Sequence, residues 1–340
     1  MRAVVLGVSG LTGRAIAAEL ADAGWDVVGT GRDGSRFPDA LRARVRFVRS
    51  DRHDAEQLRE LLASGADAVI DCLCYTAQHA RALVDCRAAF GSAVVLSSKA
   101  VYIDDGGRHS NSDQPPRFGG AVSEQQPVLA PDWSGAFASR EGYGPNKVAA
   151  ERTLLDCGAA ISILRPSLIH GPGAACPREW FVVKRLLDGR RQIPLAQGGR
   201  TGNHPTAAAN LARLVRVCAQ RPGRRVLNAA DPDTPTAREV VEAIAAACGR
   251  PVQIVGLGED APPKWGWSPW GNWPPFFLDT AAATELGYEP VGTYAQTVAA
   301  AVHELRSLSR EQVMRLGRAP YFAERFDYEF DEAALASAFR

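Results

Sequence analysis

Lysine is scarce in this chain: of 39 basic side chains only Lys99, Lys147, Lys184 and Lys264 are lysines, and the rest are arginine. An Ala- and Arg-rich composition points to no functional class, but it makes each lysine conspicuous. An excess of either charge is also lacking. The formal net charge is +1, so no global field draws the chain to nucleic acid or to an anionic membrane. No apolar run approaches the 18 residues of a membrane span. Seven cysteines form an odd set with no C-x-x-C spacing, which argues against a disulfide framework or a zinc site and for reduced thiols in the cytoplasm. The six histidines never fall at ligand spacing, so no metal is expected. No charged leader precedes the first apolar run, Ala3-Val4-Val5-Leu6, and no repeat of fixed period is found.

What is present is a regular alternation. Short apolar runs at Arg2–Leu6, Asp26–Thr30, Val45–Arg49, Ala68–Cys72, Ala93–Ser97 and Ala160–Arg165 read as strands. Arg14–Ala23, Ala55–Ser64 and Ala77–Phe90 read as the helices between them. The pattern predicts an α/β fold: a doubly wound parallel-sheet Rossmann domain, with a smaller α/β lobe after it. The expected division is residues 1–172 for the first domain, its sheet completed by about 203–230. Residues 173–202 and 231–305 form the second lobe, and 306–340 a polar tail. Trp180–Leu187, Ala207–Ala219, Ala237–Cys248, Ala281–Leu286 and Tyr294–Leu305 look helical, and Arg225–Ala229 looks like a strand. Residues 103–142 read as a long surface loop.

Gly7-Val8-Ser9-Gly10-Leu11-Thr12-Gly13 follows the first strand and opens a helix. Glycines there let the backbone turn tightly and approach a pyrophosphate, which the helix's free N–H groups would bind. Gly7, Gly10, Leu11, Thr12 and Gly13 are therefore candidate dinucleotide contacts, although Gly-rich turns also arise for steric reasons alone. The second strand ends Gly29-Thr30-Gly31-Arg32-Asp33, where an acid at the strand end would select NAD. Arg32 instead suits the 2′-phosphate of NADP, with NAD the alternative cofactor and a solvated Arg the bland one. Asp51 is placed to accept from the adenine amino group, or simply to form a turn.

Tyr143-Gly144-Pro145-Asn146-Lys147 sets a phenol and an ammonium four apart on one helix face. A free Tyr ionises near pH about 10, and a neighbouring cation stabilises the phenolate, as a general acid/base requires. Lys147 would also hold the nicotinamide ribose. Upstream, Val94-Val95-Leu96-Ser97-Ser98-Lys99-Ala100-Val101-Tyr102 places hydroxyls at a strand end, where one can donate to a substrate oxygen.

In this order and these places the motifs resemble the extended short-chain dehydrogenase/reductases, the NAD-dependent epimerase/dehydratase group. The likeness covers roughly residues 1–305 and includes Ile163-Leu164-Arg165-Pro166, His170-Gly171-Pro172-Gly173, Leu227-Asn228-Ala229 and Leu286-Gly287-Tyr288-Glu289-Pro290. The resemblance implies a catalytic set of Ser98, Tyr143 and Lys147, with Ser98 rather than Ser97 because the family's serine stands four before the strand-end Tyr. It implies that the backbone from Pro166 to Leu168 holds the nicotinamide amide and that substrate lies in a cleft between the lobes. It further implies a homodimer built on the helix at Tyr143 and the one at Ala77–Phe90.

Departures from the family bear on substrate. Lys99-Ala100 stand where sugar-nucleotide 4,6-dehydratases carry Asp-Glu, so water elimination by their mechanism is not expected. Arg200 matches the first of two diphosphate-binding arginines, but Phe276-Phe277-Leu278-Asp279 occupies the place of the second. His204 is a candidate for facing the cleft, although a hydrogen-bonded loop His is the better reading, and Lys99 is a candidate for orienting a polar or anionic group. The expected partner is a small molecule, and the expected activity is oxidoreduction or epimerisation at a secondary alcohol or ketone. A sugar-nucleotide epimerase and a non-catalytic NADP-sensing protein are the alternatives. Trp265, Trp267, Trp270 and Trp273 lie in a Gly- and Pro-rich stretch that fits neither helix nor strand, so they plug the second lobe or wall the substrate site.

Overall fold

Seven parallel strands carry the first unit of the fold: β1 (Arg2–Leu6), β2 (Asp26–Gly31), β3 (Val45–Arg49), β4 (Ala66–Asp71), β5 (Phe90–Leu96), β6 (Ile161–Pro166) and β7 (Arg225–Ala229). They lie in the order β7-β6-β5-β4-β1-β2-β3. The computed structural model describes residues 1–262, 264–322, 325–326 and 328–338. This unit comprises Met1–Ile169, Ala208–Ala230 and Leu278–Val291.

The helices are α1 (Leu11–Asp22), α2 (Asp39–Arg42), α3 (Ala55–Leu62), α4 (Ala77–Asp85), α5 (Arg140–Asp156) and α6 (Ala208–Gln220). Side chains alternate across a strand, and here each set finds its own layer. Ala3 and Val5 of β1 join Ile16 and Leu20 of α1 and Leu211 and Val215 of α6. Val4 and Leu6 join Leu58 of α3, Leu83 of α4 and Leu154 of α5 on the opposite face. Both faces being covered, the central strands β1, β4, β5 and β6 are mostly apolar and legible as runs, whereas edge strand β3 is half exposed and interrupted by Arg46 and Arg49.

Two boundaries differ from expectation for local reasons. The helix expected over Ala77–Phe90 stops at Asp85; a 3₁₀ turn follows, and Phe90 begins β5. An apolar residue on a helix face and one on a buried strand carry the same signal. Within residues 103–142 the chain is irregular but not merely superficial. Val122 and Leu129 are buried, and Asp104 accepts from the N–H groups of Gly106, Arg108 and Arg117 and from Arg108 Nε. Burial pushes the Asp104 carboxyl up, but those donors overcome it and hold the group at about 2.

Leu278–Val291, expected in the second lobe, packs in the first unit. Leu278 bridges to Val122, Asn228 Nδ2 donates to the Asp279 carbonyl at 2.9 Å, and Asn210 Oδ1 accepts from Val291 N–H at 2.7 Å.

The second unit comprises His170–Ala207, Asp231–Phe277 and Gly292–Arg340. Its helices Trp180–Leu187, Ala237–Ala247 and Tyr294–Arg306 accompany a two-stranded parallel sheet, Gln192–Leu195 with Gln253–Gly256. The expected tail is helical at Arg310–Gly317 and Glu329–Ala338 and is tied down: Arg185 Nε donates to Asp331 at 2.9 Å and Tyr328 Oη to Asp188 at 2.5 Å. Of the four clustered tryptophans, Trp270 is buried. Trp267 lies edge-on to Phe181 at 5.7 Å with the Arg325 guanidinium over it at 3.9 Å.

Candidate active site

The strand order turns back on itself at β1: the chain goes from β1 to β2 and β3 on one side, then crosses to β4 on the other. Ligands of such sheets bind at the carboxyl ends beside that point. The Gly7–Gly13 turn lies there, next to the turn that follows β4, since a Cβ on Gly7 would stand 2.9 Å from Leu73 Cγ.

The three glycines have different causes. Gly7 has φ +92°, and a Cβ on Gly13 would meet the Gly7 carbonyl oxygen at 2.3 Å, so the turn itself demands both. Gly10 has φ −86°, is exposed, and a Cβ there would find ordinary contact at 3.5 Å. Nothing in the protein requires glycine at that position, which fits a surface kept bare for a ligand. The start of α1 agrees. Its N-cap, Gly10, supplies no side-chain acceptor, whereas Asp54, Thr76 and Ser139 cap α3, α4 and α5. The N–H groups of Leu11, Thr12 and Gly13 precede the first intrahelical donor and are offered at the positive end of the helix.

At the end of β2, a Cβ on Gly31 would stand 2.7 Å from Ser9 Oγ, a hydroxyl that can rotate away; glycine there presents no carboxylate. Arg32 follows, exposed. The Asp33 carboxylate accepts from Ser35 N–H and Oγ, both at 2.8 Å. Asp51 Oδ1 accepts from His53 N–H at 3.0 Å: one of its oxygens forms the turn that sequence alone left as the alternative.

Ser98 caps a 3₁₀ turn at the end of β5; its Oγ accepts from Ala100 N–H at 3.1 Å. A hydroxyl whose oxygen is engaged in this way keeps its proton to donate. Tyr143 lies in the first turn of α5, which Ser139 caps at 2.9 Å. Gly144 lets that turn approach, because a Cβ there would lie 2.6 Å from the Ala100 carbonyl oxygen. Lys147 is buried. Its Nζ donates to the carbonyls of Cys74 at 2.7 Å and Leu96 at 2.8 Å and lies 5.9 Å from the Tyr143 ring centroid. One of its three protons remains.

Buried Asn146 ties the preceding loop to α5. It donates to Asp132 and to the Gly142 carbonyl and accepts from Gly135 N–H. Below the site, Arg165 is held by Glu151 at 2.6 and 3.0 Å. Tyr102 lies under that guanidinium and donates to Asn228 at 2.6 Å; burial pushes its phenol up to about 12. Asn146, Arg165, Asn228 and Tyr102 lay within the sequence motifs without a role assigned to them, and Glu151, Arg52, Asp71, Tyr75 and His79 were not singled out from sequence. A lone Asp ending the apolar run Ala68-Val69-Ile70-Asp71 was the available signal, since a buried carboxylate needs a partner.

Pro166 ends β6, and Leu168 opens a short strand, Leu168–His170. The three candidate substrate contacts behave differently. Lys99 is 5% exposed within the 3₁₀ turn rather than presented to solvent. In the second unit, Arg200 is exposed, 3.6 Å from Glu259 and over the Trp273 ring at 5.3 Å. His204 sits as a hydrogen-bonded loop residue, the reading sequence favoured over a cleft-facing one. Its ring is buried edge-on to Phe277, and Nε2 lies 2.9 and 3.0 Å from the carbonyls of Asp231 and Asp233, so it organises a loop. Among the described residues, no helix is long and apolar enough to cross a membrane.

Residues 3–201 match the family model described as NAD dependent epimerase/dehydratase family. Solved structures of similar fold include the Bordetella bronchiseptica enzyme WbmH in complex with NAD+ (17% identity, 90% of this chain and 98% of that one, TM-score 0.66). They also include UDP-glucuronic acid 4-epimerase from Bacillus cereus with UDP-glucuronic acid and NAD (16%, 91% and 100%, 0.66). A third is dTDP-glucose 4,6-dehydratase from Bacillus anthracis with NAD (14%, 90% and 96%, 0.67). Identities this low speak for the fold. No curated protein matches the chain. The family match spans more than half of the 340 residues, and the chain belongs to the NAD dependent epimerase/dehydratase family, enzymes of the extended short-chain dehydrogenase/reductase type.

Proposed function

We propose that the protein is an NADP-linked oxidoreductase or epimerase acting at a secondary alcohol or ketone, with Ser98, Tyr143 and Lys147 as its proton-handling set. The observation that carries this reading is the anchoring of Lys147. Two backbone carbonyls fix a buried ammonium beside Tyr143 and leave one proton for a ribose hydroxyl. The nicotinamide, when bound, supplies hydride exchange with the substrate carbon. Ser98 donates to the substrate oxygen, Tyr143 passes or takes the hydroxyl proton, and the cation at Lys147 favours the phenolate.

The dinucleotide reading is supported by the bare Gly10 and the uncapped start of α1. NADP over NAD is supported by Gly31, which offers no carboxylate to the ribose, and by Arg32. The choice goes against the NAD in the solved relatives and rests on those two positions alone. We further propose a homodimer through α4 and α5.

A sugar-nucleotide epimerase remains the second reading, favoured by the UDP-glucuronic acid in one similar structure and by exposed Arg200, and disfavoured by the apolar Phe276-Phe277-Leu278 where a second Arg would stand. Mass spectrometry of the protein as purified tests both. A retained, non-exchanging cofactor supports the epimerase, a freely exchanging one supports the reductase, and no affinity for either dinucleotide would refute both.

A further inference from the structure

Lys147 does not hold its place unaided. Its ammonium makes two hydrogen bonds, and an aromatic ring flanks it: the Tyr75 centroid lies 4.5 Å from Nζ. That ring is itself fixed. It stacks on Phe137 at 4.9 Å with the planes 5° apart, and His79 meets both rings edge-on.

The backbone of the same turn is latched. Tyr75 N–H donates to His79 Nδ1 at 3.2 Å, Leu73 N–H donates to Asp71 Oδ1 at 2.9 Å, and buried Arg52 bridges Asp71 Oδ2 at 2.6 Å and the His79 carbonyl at 2.8 Å. His53 stacks on the outer face of His79 at 4.2 Å. Each joint between β4 and α4 is thus closed by a named contact, and the turn so held carries both the Cys74 carbonyl and the Tyr75 ring to Lys147.

Building on the Ser-Tyr-Lys reading, we infer that Tyr75 and His79 are positioning residues: His79 latches the turn after β4, and the turn clasps the Lys147 ammonium between a carbonyl and a ring face. The ring's quadrupole attracts the cation without consuming a proton, so the last N–H stays available. The latch needs an unprotonated Nδ1. Burial, then His53 and Arg52, push the His79 imidazole down to about 4, so it accepts at neutral pH.

The scarcity of lysine makes the test selective. Full-length protein labelled with [15N]lysine gives four ammonium signals, and the one lost in Lys147→Arg is Lys147. Tyr75→Leu should shorten the lifetime of its ammonium protons and weaken NADPH, followed by its fluorescence, about 2- to 30-fold, the range of a cation–ring contact. Tyr75→Phe should restore both, because the ring and not the hydroxyl makes the contact. His79→Leu should behave like Tyr75→Leu, and His79→Asn, whose Oδ1 can accept from Tyr75 N–H, should behave like the parent.

Unchanged lifetime and affinity in Tyr75→Leu, or a Tyr75→Phe that fails to restore them, overturns the inference. If Tyr75→Leu does not fold, equal behaviour of the two His79 variants overturns it. Tyr143→Phe separates this from the parent reading. That variant should lose turnover while keeping the Lys147 signal, and retained turnover would sink the acid/base set without touching the clasp.

Discussion

At the scale of the residue, Gly10 and Gly13 pose opposite tests of the same turn. Gly13→Ala drives a methyl to 2.3 Å from a carbonyl oxygen and should cost stability and dinucleotide binding together. Gly10→Ala meets nothing closer than 3.5 Å. It should leave the melting temperature within a degree or two while weakening dinucleotide affinity, as calorimetry with NADP and NAD would record. Equal losses in both variants would mean that Gly10 is a folding residue. Arg32→Ala should weaken NADP and spare NAD, since only NADP carries the extra phosphate; the same titrations check it, and matched losses would make Arg32 structural. Tyr143→Phe removes one oxygen and should lower turnover about 100- to 10,000-fold with cofactor affinity retained. The glycines and the Tyr-Lys pair were readable because their meaning depends on neighbours in sequence. Arg52, Asp71 and Asn146 were not, because each acquires its role from a partner distant in the sequence.

At the scale of the element, the turn after β4 should give the protein a visible acid dependence. His79 titrates at about 4 in the folded chain and near about 6.5 when unfolded, so the unfolded state binds the proton more readily in that interval. The stability owed to neutral His79 is complete above the unfolded value and is lost as pH falls through the folded one. Melting temperature should therefore fall between pH about 6.5 and about 4, and less steeply in His79→Asn; parallel curves would exclude His79 as the cause. Burial first, then the charges of His53, Arg52, Asp71 and Lys147 around it, set the size of the effect. In the second unit, Asp331→Ala would strand the buried Arg185 guanidinium and should destabilise by about 3–5 kcal/mol, measurable by denaturant unfolding. The helix bearing Asp331 escaped sequence analysis for the same reason that this substitution should matter: its anchors are distant ion pairs, Arg185–Asp331 and Arg190–Glu332, rather than an apolar stripe.

At the scale of the whole molecule, light scattering should give twice the 36.4 kDa chain mass, and a concentration-independent monomer would exclude the dimer. The sheet was legible because its central strands, buried on both faces, are mostly apolar along their length. The path of the chain between Ser98 and Tyr143 was not, because it follows single contacts at Asp104, Val122 and Asn146. That path has a practical consequence. Gly119 and Gly120 are exposed with open space around them. On one side the Asp104 carboxylate grips Arg117 N–H; on the other, Val122 bridges to Leu278. A nick between the two glycines would fall between these grips and sever no strand. The pieces would be 1–119, bearing the glycine turn and Ser98, and 120–340, bearing Tyr143 and Lys147. They would meet along the β5–β6 seam, where Ala93–Leu96 pair with Ile161–Leu164. Neither fragment would hold a complete proton-handling set, so recovered turnover on mixing would report the two halves finding each other.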